Sequence, residues 1–469
     1  MARIYTHHKP IDRVKKLFTI VYTSLVDHDS FLSYAPIALV VICMFFGASW
    51  IVFYVANDPA RYQCYALTFW LGSSAVHLLP AAQCTFLHIR GTQPPFHMLP
   101  EEYPPLTLLP FSLALLSPLP YYQVAFAVLM SLVAMLIYWL LLTYGPRGST
   151  LIFALYLFIG ALATAQIRYD LLPATLTLLC LIAAEHKHWT SAYVALAFGV
   201  LMKIYPLLLL PALFLAEQYA DTDGLFITKP PFSFQDRQWL RSCIRSIARW
   251  RWKNCLIFCA IIATVTAGFA ALDFQGAVVS QLQYFAQRPI QIESLDSTIL
   301  WLAQGFGYSL HFAYTFGSIN SYSSLSSAVG SLSTMCFLLG CLYVIWLQWR
   351  GRINLAQSFI ALLLLFIVTG KVFSPQYLLW LIPLLAYTEA FDGVWALLWG
   401  TLSALTTFMF IFYYAHIGTQ QGNTQMLVES LHGFFELLAV RNFLLALLTL
   451  SYIYNWFQIR QRKPRPTLA

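Results

Sequence analysis

The chain has 469 residues, of which 59% are hydrophobic and only 10% are charged, and its formal net charge is +8. This composition excludes a soluble globular domain and a disordered chain, because both carry far more polar and charged residues. We expect an all-α polytopic membrane protein that forms a single integral membrane domain over residues 1–469.

Apolar runs bounded by turn or charge signals predict about twelve transmembrane helices, several of them short enough to be broken helices shielded by neighbours. The first run begins near Ile37 and has no small-residue cleavage site, so we expect it to be retained as a span. The predicted spans lie near residues 33–56, 120–143, 150–167, 171–186, 190–203, 205–217, 254–272, 326–348, 354–370, 375–388, 393–414 and 437–457.

Basic residues are distributed unevenly between the two sides of the predicted bundle. Most of the 27 lysines and arginines flank the first and last spans or lie in short turns and in the loop at 218–253. The positive-inside rule therefore predicts a multi-pass protein of the cell membrane with both termini in the cytoplasm. The basic residues on the opposite side are Arg61, Arg90, Arg168, Lys203, Arg288, Lys371 and Arg441. Orientation does not explain these residues, which indicates an extracytoplasmic site.

The loop at 218–253 has its own pattern. Arginines recur every fourth residue at Arg237, Arg241, Arg245 and Arg249, with apolar residues between them. This spacing predicts an amphipathic helix lying on anionic lipid headgroups. An ordinary basic cytoplasmic loop that is helical explains the pattern equally well.

The first extracytoplasmic loop, residues 57–118, is long and rich in proline and aromatic residues, which predicts a juxtamembrane layer or lid. Asp58 lies where the preceding helix leaves the membrane, although an aspartate there can be only a helix-end residue. Glu102 lies in a proline-rich segment, because Pro100, Pro104 and Pro105 surround it, and it is expected on a stiff backbone. Cys64 and Cys84 can form a disulfide if this loop is extracytoplasmic.

Three further turns place a basic residue beside a proline-containing helix start. The free N–H groups of a helix start favour anions, so three such turns on one face suggest convergence on a phosphate. Each base can alternatively be an anchor that extends to the membrane surface. The turns are Arg168-Tyr169-Asp170-Leu171-Leu172-Pro173, Lys203-Ile204-Tyr205-Pro206 and Lys371-Val372-Phe373-Ser374-Pro375-Gln376-Tyr377.

A second extracytoplasmic loop is predicted at residues 273–325. It contributes Arg288 and Glu293 to the same face, within Gln287-Arg288-Pro289-Ile290-Gln291-Ile292-Glu293-Ser294. The segment from about 298 to 323 is expected to leave and return on this side, as a substrate-covering helix or a re-entrant element.

These motifs, in this order over residues 50–390, resemble glycosyltransferase family 87 of the GT-C superfamily. The motifs with Arg288 and with Lys371 are the most specific ones. The resemblance implies a GT-C-like bundle that moves a sugar, often mannose, from a polyprenyl-phosphate donor to a lipid or glycan acceptor and inverts the anomeric centre. It also implies that Asp58 is the catalytic base. The loop between Asp58 and Glu102 is longer than the family pattern, so the acceptor is the least transferable property.

The residue types agree with this chemistry. A departing lipid phosphate needs cations, and the acceptor hydroxyl needs a carboxylate base, but no general acid is required. Asp58 is the predicted base, with Glu102 and Asp170 as further candidates, and the predicted phosphate ligands are Arg168, Lys203, Arg288 and Lys371. The predicted substrate-binding residues are Arg61, Tyr62, Glu101, Tyr103, Tyr169, Tyr205, Glu293, Ser374 and Gln376.

Other assignments stay open. A monophosphate donor held by cations needs no metal cofactor, although a divalent ion bridging Asp58 and Glu102 is an alternative. A secondary transporter or lipid flippase also uses broken helices and intramembrane charge, but the polar groups here cluster at one membrane edge. The expected partners are the lipid-linked donor, the acceptor and membrane lipids, with no nucleic acid.

Overall fold

The computed structural model describes residues 31–47, 49, 57–87, 89, 91–220, 250–388, 393–419 and 424–455. The predicted amphipathic helix with Arg237 to Arg249, Arg90, and the basic residues of both termini lie outside these ranges. The first eight helices are α1 Ala35–Gly47, α2 Asp58–Leu71, α3 Leu108–Ala114, α4 Tyr122–Tyr144, α5 Ser149–Ala161, α6 Leu171–Glu185, α7 Trp189–Met202 and α8 Leu210–Tyr219. The later ones are α9 Lys253–Leu272, α10 Ser280–Gln287, α11 Leu295–Ala303, α12 Ser326–Trp349, α13 Leu355–Thr369, α14 Leu378–Thr388, α15 Gly393–Thr419, α16 Thr424–Glu429 and α17 Phe434–Asn455.

The fold is that of an almost entirely helical membrane protein. Among the described residues, five helical segments are long and apolar enough to cross a membrane: Leu119–Tyr144, Lys253–Leu272, Ser326–Trp349, Val394–Tyr414 and Phe434–Tyr454. The predicted count of about twelve spans is not confirmed. The other apolar helices have 10–17 residues, whereas a helix needs about 20 to cross the hydrocarbon core unaided.

The core of the bundle is built around α14, which is buried over almost its whole length. It packs against α5, α6 and α13, so its side chains are apolar on every face. Helices α6 and α7 form an antiparallel hairpin through a tight turn in which Lys187 has a φ of 62°. Asp170 and Lys203 therefore lie at one end of this hairpin, and Lys187 lies at the other.

A small antiparallel sheet departs from the otherwise helical fold. Its strands are β1 Ile290–Gln291, β2 His311–Thr315 and β3 Ser318–Tyr322, in the spatial order β1-β3-β2. The β2–β3 turn consists of Phe316 and Gly317, with φ values of 52° and 69°, and two positive φ values suit a tight hairpin. The expected covering element at 298–323 is thus the end of α11 followed by a β-hairpin.

The segment from 57 to 118 forms a layer of short helices and turns. Helix α2 packs against α3, and a disulfide joins Cys64 in α2 to Cys84 in the following turns. Gln281 of α10 anchors the end of the layer, because its amide nitrogen donates to the carbonyl oxygens of Pro100 and Tyr103 at 2.9 and 2.8 Å. The layer is therefore tied to the 273–325 region.

Candidate functional site

Four charged side chains form a continuous series, Glu102–Arg61–Asp58–Arg168, which we call the charge chain. Arg168 forms an ion pair with one carboxylate oxygen of Asp58, and Nη1 of Arg61 lies 3.7 Å from the other. The second Nη of Arg61 bonds Glu102. The four side chains are 12–20% exposed, so the charge chain is largely shielded but still partly accessible.

Local structure explains this arrangement. Asp58 opens α2 and Arg61 follows one turn later, and residues three apart lie on the same face of a helix. Pro59 occupies the first turn of α2, where a missing N–H costs nothing. Glu102 approaches Arg61 from the segment that Gln281 anchors.

A second ion pair joins two of the predicted turns. Lys203 Nζ lies 2.5 Å from Oδ1 of Asp170, and the indole nitrogen of Trp380 donates to the same oxygen at 2.5 Å. Asp170 occupies the cap position of α6 without a side-chain cap bond, because its carboxylate is bonded to Lys203 and Trp380. With 1% of its side chain exposed, Asp170 is less accessible than Asp58.

Aromatic rings lie beneath both ion pairs. Tyr62 stacks on Phe111 with 4.1 Å between ring centres and meets Tyr103 and Tyr169 edge-on. Lys203 Nζ lies 5.1 Å from the ring centre of Tyr169, a cation–π contact. Tyr62 and Tyr169 are only 1% exposed, so the predicted substrate-binding tyrosines form a supporting floor here.

The other predicted tyrosine extends this floor. Tyr205 stacks on Trp380 with 4.0 Å between ring centres and is 5% exposed. Tyr377 also stacks on Trp380 with 4.0 Å between ring centres, and its ring centre lies 5.6 Å from Lys203 Nζ. The ring system therefore connects the Lys203 motif to the segment that follows Lys371.

Arg288 lies close to the same cluster. Its guanidinium stacks over Tyr284 at 5.1 Å, and it is close enough to Glu102 to oppose the rise in the pKa of that carboxyl. The Nε atoms of Arg288 and Arg168 are buried and have no hydrogen-bond partner among the described residues. Arg168 is paired with Asp58 and Arg288 lies near Glu102, and an unfilled cationic donor at each position is suited to binding an anion.

Glu102 has a perturbed environment. Burial raises the pKa of Glu102 above its ordinary value, while the Arg61 guanidinium and its hydrogen bond oppose that rise. A carboxyl whose burial and charge partner act in opposite directions is typical of functional sites and also of structural ion pairs.

Lys371 lies in a different neighbourhood. Its backbone oxygen accepts from Gln291 N at 2.8 Å, and its side chain approaches Gly330. The Lys371 charge opposes the rise in the pKa of Asp296, whose burial raises that pKa to about 6. Ser374 precedes the short helical turn Pro375–Tyr377 as predicted, but its hydroxyl donates to Gln376 at 2.5 Å instead of capping the backbone.

Glu293 is enclosed within the protein. Its carboxylate accepts from Arg441 Nη1 at 2.7 Å and from the hydroxyl of Tyr414. The Glu293 and Arg441 side chains are 1% and 0% exposed. This pair fastens the 273–325 region to α17, and a role of Glu293 in substrate binding stays a prediction.

A polar cleft of about 430 Å³ opens beside the Glu102 end of the charge chain. Glu101, the neighbour of Glu102, lines it together with Phe316 of the hairpin turn. Carboxamides and carboxylates dominate the polar lining, which includes Gln93, Glu101, Asp273, Gln275, Gln283 and Gln287. We call this space the amide cleft.

The hairpin turn covers Arg61. A Cβ atom on Gly317 would lie 2.9 Å from Arg61 Nη1, closer than van der Waals contact allows. The hydroxyl of Tyr284 donates to the carbonyl of Phe316 at 3.2 Å. The turn therefore lies between the charge chain and the amide cleft.

Several contributors were not predicted from the sequence. Trp380 lies in an apolar helix whose sequence is typical of a buried core. Gln281 and Tyr284 lie outside the motifs that the sequence analysis assigns to the site. Gly317 follows Phe316 between two short strands whose apolar residues do not alternate, and Phe-Gly is not among the two-residue turns that signal a hairpin. None of these four residues carried a clear signal in the sequence.

Among the residues that the structure describes, no group of three or more His, Cys, Asp or Glu side chains could hold a metal ion. No protein-family model matches the chain, and no curated protein is significantly similar to it.

Proposed function

We propose that this protein is an inverting glycosyltransferase of the GT-C type, which moves a sugar from a polyprenyl-phosphate donor to an acceptor hydroxyl on the extracytoplasmic face. The observation that carries the proposal is the Asp58 carboxylate between Arg61 and Arg168, with one unfilled donor on Arg168 and a second on Arg288, which lies near Glu102. A base and an anion site thus lie next to each other, as sugar transfer from a lipid phosphate requires.

The reaction forms a bond from the acceptor oxygen to the anomeric carbon and breaks the bond from that carbon to the phosphate oxygen. Asp58 takes the acceptor proton, and the phosphate leaves with the bonding electrons. Arg168 and Arg288 bind the departing phosphate, and Lys203 adds positive charge from the adjoining ring system. Fixed cations stabilise this developing charge without reorganisation, which is the largest catalytic contribution in many enzymes.

The Asp58–Arg168 ion pair gives donor binding a role in activating the base. Arg168 binds one carboxylate oxygen of Asp58, and that oxygen cannot take the acceptor proton while it is bound. A donor phosphate competes for Arg168, and the loosened pair frees this oxygen. In this proposal the base becomes fully active only when the donor is bound.

The amide cleft is the proposed acceptor site. Its volume falls within the range of roughly 300–1,000 Å³ typical of ligand pockets. Carboxamide and carboxylate side chains offer both donors and acceptors, and these pair well with the hydroxyl groups of a sugar or other polyol. The cleft adjoins Glu102 through Glu101, so an acceptor there would extend toward Asp58.

Purified protein incubated with radiolabelled polyprenyl-phosphate mannose and a lipid extract tests the proposal. We expect a labelled product from the wild type and none from Asp58→Asn, because the amide cannot accept the proton. Asp58→Asn should still retain the labelled donor, since the phosphate ligands are unchanged.

Glu436→Gln is the matched control, because this exposed carboxylate lies in the first turn of α17, outside the charge chain. Full transfer by Asp58→Asn would remove Asp58 from the mechanism. Absence of any labelled product from the wild type with several lipid-phosphate sugars would overturn the glycosyltransferase assignment.

A further inference from the structure

The β2–β3 hairpin has one face that packs against the helices. Phe312 of β2 pairs with Ser321 of β3, and Tyr314 pairs with Ile319. Paired residues, and residues two apart along a strand, lie on the same face of a sheet. These four side chains therefore share one face, which we call the inner face. The hydroxyl of Ser321 fixes its direction, because it lies 2.6 Å from the hydroxyl of Ser297 in α11.

Tyr314 is the exception on the inner face. Its three companions there, Phe312, Ile319 and Ser321, are 1–8% exposed. Tyr314 is 65% exposed. A side chain on the packed face of a sheet stays exposed only where the packing beneath it stops. The ring of Tyr314 therefore borders an open space beneath the end of the hairpin.

The charge chain borders the same space. Gly317, three residues after Tyr314, lies against Arg61, because a Cβ atom on this glycine would be 2.9 Å from Arg61 Nη1. Burial raises the pKa of the Tyr314 hydroxyl, the two arginines of the charge chain oppose the rise, and its two carboxylates add to it. All four charged groups are therefore near Tyr314. An exposed ring with protein around it lines a concave space.

Hydrogen bonds hold the end of the hairpin in place. Asn320 Nδ2 donates to the carbonyl and hydroxyl oxygens of Thr315 at 2.7 and 2.8 Å. The Tyr284 hydroxyl donates to the carbonyl oxygen of Phe316 at 3.2 Å. Both residues that follow Tyr314 are therefore fixed. A ring on a fixed backbone loses little conformational freedom when a ligand binds, so less of the binding energy is lost to ordering.

The two sides of this space differ in chemistry. The ring of Tyr314 presents an apolar face on one side. The charge chain presents hydrogen-bond donors on its arginines and acceptors on its carboxylates on the other. A sugar ring matches both sides, because C–H groups form its faces and hydroxyl groups project from its edge. A bare phosphate would use only the cations, and a lipid chain would use only the aromatic ring.

The position favours the sugar of the donor over that of the acceptor. The hairpin turn separates the charge chain from the amide cleft, the proposed acceptor site. The space beneath Tyr314 lies on the charge-chain side, with Arg168 as a proposed phosphate ligand and Asp58 as the proposed base. The transferred sugar must lie between the departing phosphate and the acceptor hydroxyl, so this space suits it.

We infer that Tyr314 stacks on the transferred sugar of the lipid-linked donor and orients its ring above the charge chain. This inference rests on the proposed function and adds a sugar-binding residue to it. The cations hold the phosphate, and Tyr314 contacts the sugar. The sugar itself therefore contributes to donor affinity, and that contribution depends on the ring of Tyr314.

Competition binding to the full-length protein in nanodiscs separates the sugar contact from the phosphate contacts. Radiolabelled polyprenyl phosphate is displaced by unlabelled polyprenyl phosphate, polyprenyl-phosphate mannose or polyprenyl-phosphate glucose. We expect the wild type to bind at least one sugar donor more tightly than polyprenyl phosphate. Tyr314→Ala should reduce this advantage by about fivefold, which is typical of losing one aromatic contact. Its affinity for polyprenyl phosphate should stay unchanged.

Two matched variants sharpen the test. Tyr314→Phe keeps the ring, so it should retain most of the advantage of the sugar donor. Tyr308→Ala is the control, because Tyr308 is a 44% exposed tyrosine three residues before β2, and its loss should change neither affinity. In the transfer assay, Tyr314→Ala should raise the KM for the donor with a smaller change in kcat, because the contact is made before and during transfer.

An unchanged sugar advantage in Tyr314→Ala would overturn the inference, while sugar transfer by the wild type would leave the proposed function standing. An equal loss of affinity for polyprenyl phosphate would indicate a structural role for Tyr314 instead. Loss of the advantage in Tyr314→Phe would assign the contact to the hydroxyl and not to the ring. A wild type that transfers a sugar but binds its donor no more tightly than polyprenyl phosphate would also contradict the inference. If the wild type neither transfers a sugar nor prefers a sugar donor, the glycosyltransferase assignment fails, and this inference fails with it.

Discussion

Two carboxylate–arginine pairs of the same chemical type have opposite surroundings in this protein. In the Asp58–Arg168 pair, the side chains are 12% and 20% exposed. In the Glu293–Arg441 pair, they are 1% and 0% exposed. Burial therefore distinguishes a partly accessible pair from an enclosed one.

Hydrogen bonding separates the pairs further. Arg441 donates to both the carboxylate and the backbone oxygen of Glu293, and Asn442 donates to the same backbone oxygen at 3.1 Å. Arg168 instead keeps a buried Nε without a partner among the described residues. A saturated pair is typical of structure, and an unsaturated one is typical of a binding site.

Arg441→Met should have the largest effect on stability. It leaves the Glu293 charge buried without its partner, which typically costs about 3–5 kcal/mol. Thermal unfolding of the solubilised protein measures this loss. Arg350→Met, at an exposed arginine, is the control and should change little. An Arg441→Met protein as stable as its control would show that the pair is not structural.

Arg168→Met should act mainly on catalysis. Loss of one charge-stabilising donor commonly lowers kcat by about a hundredfold or more, while the partly exposed pair contributes less to stability than the Arg441 pair. The transfer assay and the unfolding experiment, run on both methionine variants, give the comparison directly. If Arg168→Met lost as much thermal stability as Arg441→Met and kept its transfer activity, the distinction between the pairs would be wrong.

The sequence predicted part of this distinction. Asp58, Arg168 and Lys203 each follow or open an apolar helix, and helix positions and one-sided charge are readable from a single sequence. Glu293 and Arg441 are 148 residues apart, and nothing local indicates that they pair. The sequence therefore groups Glu293, a predicted substrate-binding residue, with Arg288, a predicted phosphate ligand, because both lie in one outward loop.

The same limit applies to Asp170. Its place at a proline-containing helix start is readable from the sequence, and Asp170 occupies the cap position of α6. Its partners are Lys203 and Trp380, and the indole is 210 residues away. Which of several local roles a carboxylate takes depends on these distant groups, so the position of a side chain was predictable but its bonds were not.

Asp296 provides a third case, in which a buried carboxyl has a cation near it but no direct ion pair. Burial raises its pKa from 3.8 to about 6. A raised pKa in the folded state means that this group stabilises the fold fully below its ordinary pKa, and the contribution is lost as the pH rises through about 6. Between pH 5 and pH 8 we expect a loss of about 1.4 kcal/mol.

Unfolding of the wild type and Asp296→Asn across this pH range checks the expectation. The amide does not titrate, so the variant should lose less stability as the pH rises, by about 1.4 kcal/mol. Parallel pH profiles would show that Asp296 stays ionised at pH 5. Lys371 would then be its effective partner.

Gly317→Ala should have the smallest effect and tests whether the hairpin turn positions the charge chain. Alanine at a φ of 69° is strained by about 1–2 kcal/mol, and its Cβ would also press on Arg61. Gly307→Ala is a matched control, because Gly307 has a φ of 89° and open space around its Cβ. Both variants should lose similar stability, but only Gly317→Ala should raise the apparent KM for the acceptor, since Arg61 holds Glu102 beside the amide cleft. Equal KM values in the two variants would mean that the turn covers the site without shaping it.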